Sequence, residues 1–279
     1  MLYEALRLKD VSKRTPLVRL MINSRFHRLM PEAYSESMEV LREIERVRPQ
    51  WLRETPDLRF FNRLKKDWSR RTGGFWVRAA NSPQSEAHYV AELEGTMMEE
   101  ARVQAEVGRK EIMESRWRRI PRLDEMVIRF EYQLPGWRGD PVEAWRVDGM
   151  DGISHGLAQR DHAYRDWMEP FIELDSGVLR SAAWVEFWLY LSDKSALPRR
   201  WMRWAHQFVQ RFRTVTPGSA ADAQLFTYFI DTDVVITADR ALLQILDECR
   251  PYAPCQLPEG KIVPAGPPGV ADLFRILDA

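Results

Sequence analysis

Apolar residues recur at helical intervals through most of this chain, and only short stretches break the pattern. Residues 15 to 24, TPLVRLMINS, predict a helix with Thr15 as its cap and Pro16 at its first position. From Pro31 to Arg48 the residues Tyr34, Met38, Leu41, Ile44 and Val47 keep a step of three or four, which predicts one inward-facing stripe. Glu32, Glu36, Glu39 and Glu43 line the adjoining faces, where acids are ordinarily solvated. A Ser82-Pro83 start predicts a long charged helix to about residue 119. Residues 120 to 160, interrupted by Pro121, Pro135, Pro141 and the glycines 136, 139, 149, 152 and 156, predict short helices and loops. The run GVLRSAAWVEFWLYLSD from Gly177 is apolar nearly all round and predicts a buried helix. Pro198 opens the next one, PRRWMRWAHQFVQRF, whose Arg199, Arg200 and Arg203 predict a solvated first turn and otherwise one more basic spot near the site.

Strand-like runs are few: Phe26 to Met30, Thr214 to Thr216, CQLP from Cys255, KIVPA from Lys261, and Val234 to Thr237. The last lies in the stretch that organises the reading. A helix opens at Ser219 with Asp222 in its first turn, where a carboxylate suits the positive end of the helix dipole. Four β-branched residues, Val234-Val235-Ile236-Thr237, then predict a short buried strand that stops at Ala238-Asp239. A second helix follows through Ala241, Leu242, Ile245 and Leu246. Helix, apolar strand, acid at the carboxyl end and helix is the order of a parallel α/β sheet, whose sites lie beyond the strand C-termini. Asp239 is placed at that edge, and Asp222 can face the same crevice.

Composition narrows the chemistry. The chain has 279 residues with 41 basic against 41 acidic side chains, so no global field draws it to nucleic acid and any such binding needs a local patch. Residues 50 to 80 offer one: Arg59, Arg63, Lys65, Lys66, Arg70, Arg71 and Arg78 interleave with Phe60, Phe61, Trp68, Phe75 and Trp76. These either hold a phosphate backbone and stack bases or form an amphipathic helix with snorkelling cations. Eleven tryptophans are many for this length; the spacing of Trp184/Trp188 and Trp201/Trp204 predicts helix packing. Two cysteines, Cys249 and Cys255, lack the spacing and partners of a zinc site and suit a reducing cytoplasm. His155 and His162 have no second ligand pair in step and predict surface positions. No apolar run reaches membrane-spanning length, so no membrane partner is expected.

The pairing of a helical Asp222 in DAQLFTYF with Thr237 and Asp239 in DVVITADR resembles the last acidic motifs of PIN-domain proteins, a family of metal-dependent nucleases. The resemblance covers residues 15 to 49 and 205 to 279. It implies a PIN-like parallel sheet flanked by helices, built from residues 1–49 and 198–279, with residues 50–197 as a large, mostly helical insertion. It further implies Asp222, Asp239 and Glu36 as ligands of Mg²⁺ or Mn²⁺, and Thr237 as an orienting hydroxyl. The family's first motif, an apolar strand ending in Asp, has only Met1-Leu2-Tyr3 and Glu4 to match it. A short strand preceding this sequence is the expected explanation, with Glu4 in place of the Asp or a degenerate site as alternatives. The activity implied is divalent-metal-dependent endoribonuclease cleavage of RNA, with an antitoxin-like protein as a possible partner. The other reading is a catalytically inactive PIN-like binding or scaffold protein acting through its helical lobe.

Overall fold

The computed structural model describes residues 8, 10–21, 28–69, 74–115, 117, 119–173, 177–215 and 219–277. In chain order the main elements are α1 (Val11–Met21), α2 (Glu32–Val47), α3 (Leu58–Ser69), α4 (Phe75–Asn81) and α5 (Pro83–Glu114). Then come β1 (Val127–Ile128), β2 (Val142–Glu143), α6 (Ala144–Ala158), α7 (Ala163–Met168) and α8 (Ala182–Glu186). The chain ends with α9 (Pro198–Gln210), α10 (Ser219–Thr227), β3 (Val234–Thr237), α11 (Arg240–Cys249), β4 (Glu259–Ile262) and α12 (Pro267–Leu277). Two compact units emerge: Met1–Gln104 with Gly152–Ser181, and Ala105–Asp151 with Ala182–Ala279. Among the described residues, no helix is long and apolar enough to cross a membrane.

The expected PIN-like parallel sheet flanked by helices is not formed. The protein is 64% helix and 6% strand, and its strands make two separate two-stranded sheets. The reason lies in how little of the chain can serve as strand. Residues 28–30, 214–215 and 255–258 are irregular rather than extended in a ladder, and residues 1–3, 26–27 and 216 lie outside the described residues. Among the described residues only the β-branched run at β3 finds a parallel partner: Val234 pairs with Glu259 and Thr237 with Ile262, with α11 as the crossover. The local β–α–β order is therefore as expected, but the sheet around it is absent from the described residues, which leaves β3 exposed to half-buried where a buried strand was expected.

The first unit is organised by α2 and α7. Val40 and Ile44 of α2 are fully buried, and Tyr34 meets Trp167 edge-on at 5.0 Å between ring centroids. Phe61 from α3 joins them, 5.5 Å from Trp167 and 5.0 Å from Phe171. Such edge-to-face contacts suit the ring quadrupoles and add to what area burial provides. A short antiparallel bridge ties the segment after α2 to the one after α7: Arg53 N–H donates to Phe171 O at 2.8 Å and Glu173 N–H to Trp51 O at 3.0 Å. Helix α1 starts four residues before the expected cap, because Asp10 Oδ1 accepts from Ser12 N–H at 3.0 Å and leaves Pro16 inside the helix.

The second unit has a tryptophan core. Trp184, Phe187 and Trp188 are fully buried, with Trp184 and Trp188 edge-on at 6.0 Å, and Trp201 and Trp204 meet in the same way on α9. After α8 the helix widens into a π turn, Phe187–Leu191, closed by Ser192 N–H to Phe187 O at 2.8 Å. Widening leaves carbonyls without their usual donors, and Arg146 supplies them: its Nη1 reaches Trp188 O at 3.1 Å and Ser192 O at 2.7 Å. Arg199 and Arg200, expected as a solvated first turn, are instead buried and pair with the more exposed carboxylates of Asp231 at 2.6 Å and Asp148 at 3.0 Å.

The glycine-rich segment 144–158 is one continuous helix, α6, where short pieces were expected. A Cβ at Gly149 would lie 2.7 Å from the Trp188 ring, and one at Gly156 would lie 2.8 Å from both His162 and Tyr164. These glycines admit bulky neighbours and do not interrupt the helix. Gly→Ala inside a helix normally gains about 0.5–1 kcal/mol, whereas overpacking a core costs about 1–3 kcal/mol. Gly149→Ala is therefore expected to destabilise the protein by roughly 1 kcal/mol or more in urea titration, and a gain in stability would contradict the Trp188 contact.

Candidate functional site

The Asp222–Asp239 region is built on α9, against which both α10 and α11 pack. Asp222 is half-buried in the first turn of α10, and the following turn points Ala223, Phe226 and Phe229 into the core. Phe226 lies 5.0 Å from the ring of His206 on α9. Beyond α10 a 3₁₀ turn brings Asp231 onto Arg199 and delivers the chain to β3. Short β-branched side chains hold β3 extended, and Thr237 ends it.

At that end Thr237 and Asp239 form one capping unit. Asp239 N–H donates to Thr237 Oγ1 at 3.0 Å, and Asp239 Oδ1 accepts from Ala241 N–H at 2.7 Å and Leu242 N–H at 3.1 Å. This satisfies two of the orphan donors that every helix N-terminus exposes. The Asp239 side of the expected site is thus an exposed N-cap at the carboxyl edge of a parallel strand. Asp222, Thr237 and Asp239 all belong to the second unit.

Glu36 belongs to the first unit. It has no exposed surface, and its Oε2 accepts the Tyr164 hydroxyl at 2.6 Å, linking α2 to α7 across 128 residues of chain. Glu39 and Glu43 on the same helix are also buried, so the acidic face expected in solvent is turned inward; Glu43 carries a two-pronged bond from Arg46 at 2.6 and 2.7 Å. Among the described residues no three His, Cys, Asp or Glu side chains come together as a metal-holding group.

In the basic-aromatic stretch two of the cations are paired with acids, while Arg70 and Arg71 lie outside the described residues. Arg59 binds Asp57 at 2.6 Å, Arg78 binds Asp67 at 2.8 Å and Glu86 at 3.3 Å, and Arg63 lies over the Phe60 ring at 4.9 Å. Trp68 and Phe75 stack on each other at 5.2 Å, so these rings are committed to packing α3 on α4. Of the two histidines expected at the surface, His162 is half-buried and caps α7 through Nδ1, which accepts from Tyr164 N–H at 3.2 Å; burial, then nearby His155, lowers its pKa.

His206 was signalled only by its place on the apolar stripe of α9, between Met202 and Val209. It is wholly buried, and among the described residues neither ring nitrogen has a hydrogen-bond partner. Burial, aided by Arg203 and Arg213, pushes its pKa down to about 3. No family model matches this chain, and no curated protein or solved structure matches it.

The His206 shift has a sign that can be checked. The unfolded chain takes up the proton near pH 6.5 and the folded protein only near pH 3, so the unfolded state gains protons first as pH falls. Stability is full above pH 6.5 and is lost progressively below it. Between pH 7 and pH 5 the loss expected from His206 is about 2 kcal/mol, measured by urea titration as the amount by which the acid loss shrinks in His206→Phe. An unchanged slope in the variant would contradict this.

Proposed function

We propose that this chain is a binding protein built on helices, in which the acids singled out by sequence serve as caps and buttresses. Glu36 carries this reading. Mg²⁺ retains several of its waters when bound, and a carboxylate without exposed surface, bonded to a tyrosine hydroxyl at 2.6 Å, has no room for a hydrated ion. Thr237 and Asp239 support it, since their bonds close a helix end. Neither Cys249 nor Cys255 is in a disulfide, which supports a reducing, cytoplasmic setting.

A second reading, metal-dependent endoribonuclease, is favoured by one observation. Asp239 stands exposed at the carboxyl end of β3, in a β3–α11–β4 crossover with parallel pairing, where α/β proteins place their sites. In that reading Asp239 and Asp222 share Mg²⁺ or Mn²⁺, which lowers the pKa of a bound water for attack on RNA. An antitoxin-like partner belongs to this reading alone.

Asp239→Asn separates the two, because Asn caps a helix as well as Asp does while Ala costs about 1 kcal/mol. The binding reading expects no Mn²⁺-dependent RNA cleavage by the wild-type protein, unchanged stability in Asp239→Asn, and a loss in Asp239→Ala. Cleavage that disappears in Asp239→Asn at an unchanged melting temperature would establish the nuclease instead.

A further inference from the structure

The first unit contains an open cleft of about 330 Å³ beside α3 and α7, lined chiefly by Arg53, Asp57, Phe60, Asp166, Glu169 and Pro170. Its charged groups fall into two sets. Asp57 is held by Arg59 at 2.6 Å and Glu169 by Arg165 at 2.8 Å, and each pair is neutral as a whole. Arg53 and Asp166 are different. Arg53 Nε donates to the main-chain oxygens of Ile172 at 3.1 Å and Glu169 at 3.3 Å, which fixes the guanidinium from behind. Among the described residues, its two terminal nitrogens have no hydrogen-bond acceptor. Asp166 is half-buried in α7, and among the described residues its carboxylate accepts no hydrogen bond and forms no ion pair. Burial, with Glu169 and Asp161 nearby, raises its pKa against a smaller opposing pull from Arg165.

The cleft therefore offers one oriented cation and one carboxylate without a hydrogen-bond donor, beside the part-exposed Phe60 ring, one face of which carries Arg63. A simple anion on Arg53 would also face the carboxylates of Asp166 and Glu169, and a simple cation at Asp166 would also face Arg53. A ligand carrying both charges satisfies each and leaves the site neutral. We infer that this cleft binds a small zwitterion, a free α-amino acid whose carboxylate docks on the Arg53 fork and whose ammonium meets Asp166. Its side chain lies on Phe60 and Pro170. The volume is at the small end of ligand pockets, in keeping with a compact solute. Arg–carboxylate pairing supplies direction, because two parallel N–H···O bonds fix the plane of the ligand.

None of these residues belongs to the Asp222–Asp239 stretch, so the inference stands whichever way the cleavage experiment falls. The test is isothermal titration of the full chain with L-phenylalanine, 3-phenylpropionate and phenethylamine, which share the ring and differ in charge. Saturable binding of L-phenylalanine is expected, with each half-ligand weaker by about tenfold or more, the usual effect of losing a charge-assisted hydrogen bond. Asp166→Asn should weaken L-phenylalanine by a similar factor and leave 3-phenylpropionate no weaker; Arg53→Met should weaken L-phenylalanine but not phenethylamine. The inference is overturned by no L-phenylalanine binding up to about 10 mM, well above the weakest affinity of interest. It is equally overturned by a half-ligand that matches L-phenylalanine, or by variants that keep their melting temperature and bind it unchanged.

Discussion

A chain with one run of four β-branched residues must bury its apolar surface between helices. Val234–Thr237 is that run, and with Glu259–Ile262 it makes a parallel ladder of two strands, a size that is marginal without support. Leu243 of α11 comes against Gly260 of β4, where a Cβ would stand 2.8 Å from its methyl. Large rings, packed among aliphatic side chains such as Val40, Ile153 and Leu197, fill the rest of the core. In the first unit Tyr34, Phe61, Trp167 and Phe171 pack edge to face; in the second, Trp184, Phe187 and Trp188 are sealed off entirely. Rings of this size need room, and the glycines of α6 and the π turn after α8 provide it.

Polar groups inside these cores are handled by pairing. Arg146 takes up carbonyls released by the π turn, Arg200 binds Asp148, and Tyr164 donates to Glu36. Each joins elements distant in sequence, and each would leave a buried charge or dipole unsatisfied if truncated, which is where large mutational losses arise. His206, like the indole nitrogens of Trp145 and Trp188, has no hydrogen-bond partner among the described residues; it stays neutral, and its cost is deferred to acid conditions.

Local signals in the sequence were readable where the responsible residues are neighbours. The α2 stripe, the pairs Trp184/Trp188 and Trp201/Trp204, the strand at Val234–Thr237 and the helix that follows Asp239 all come from spacing or short-range capping. The fold class was not readable, because a strand–helix–strand order says nothing of whether further strands exist to extend the sheet. Gly149 and Gly156 read as breaks because the rings that occupy their missing side chains come from other elements. Glu36 and Arg199 read as solvated because Tyr164 and Asp231 lie far along the chain. Asp239 shows the limit most clearly: a cap and a metal ligand demand the same residue at the same place in sequence, and only the Ala241 and Leu242 bonds reveal the first role.

The account rests on those acids being used by the fold and not by an ion. Nuclear magnetic resonance of the full chain titrated with Mn²⁺ reads this residue by residue, since a bound paramagnetic ion erases nearby amide signals. The account predicts that the amides of Asp222, Asp239, Ala241 and Leu242 keep their intensity. Selective loss of those signals at stoichiometric Mn²⁺, reversed by Mg²⁺, would contradict it.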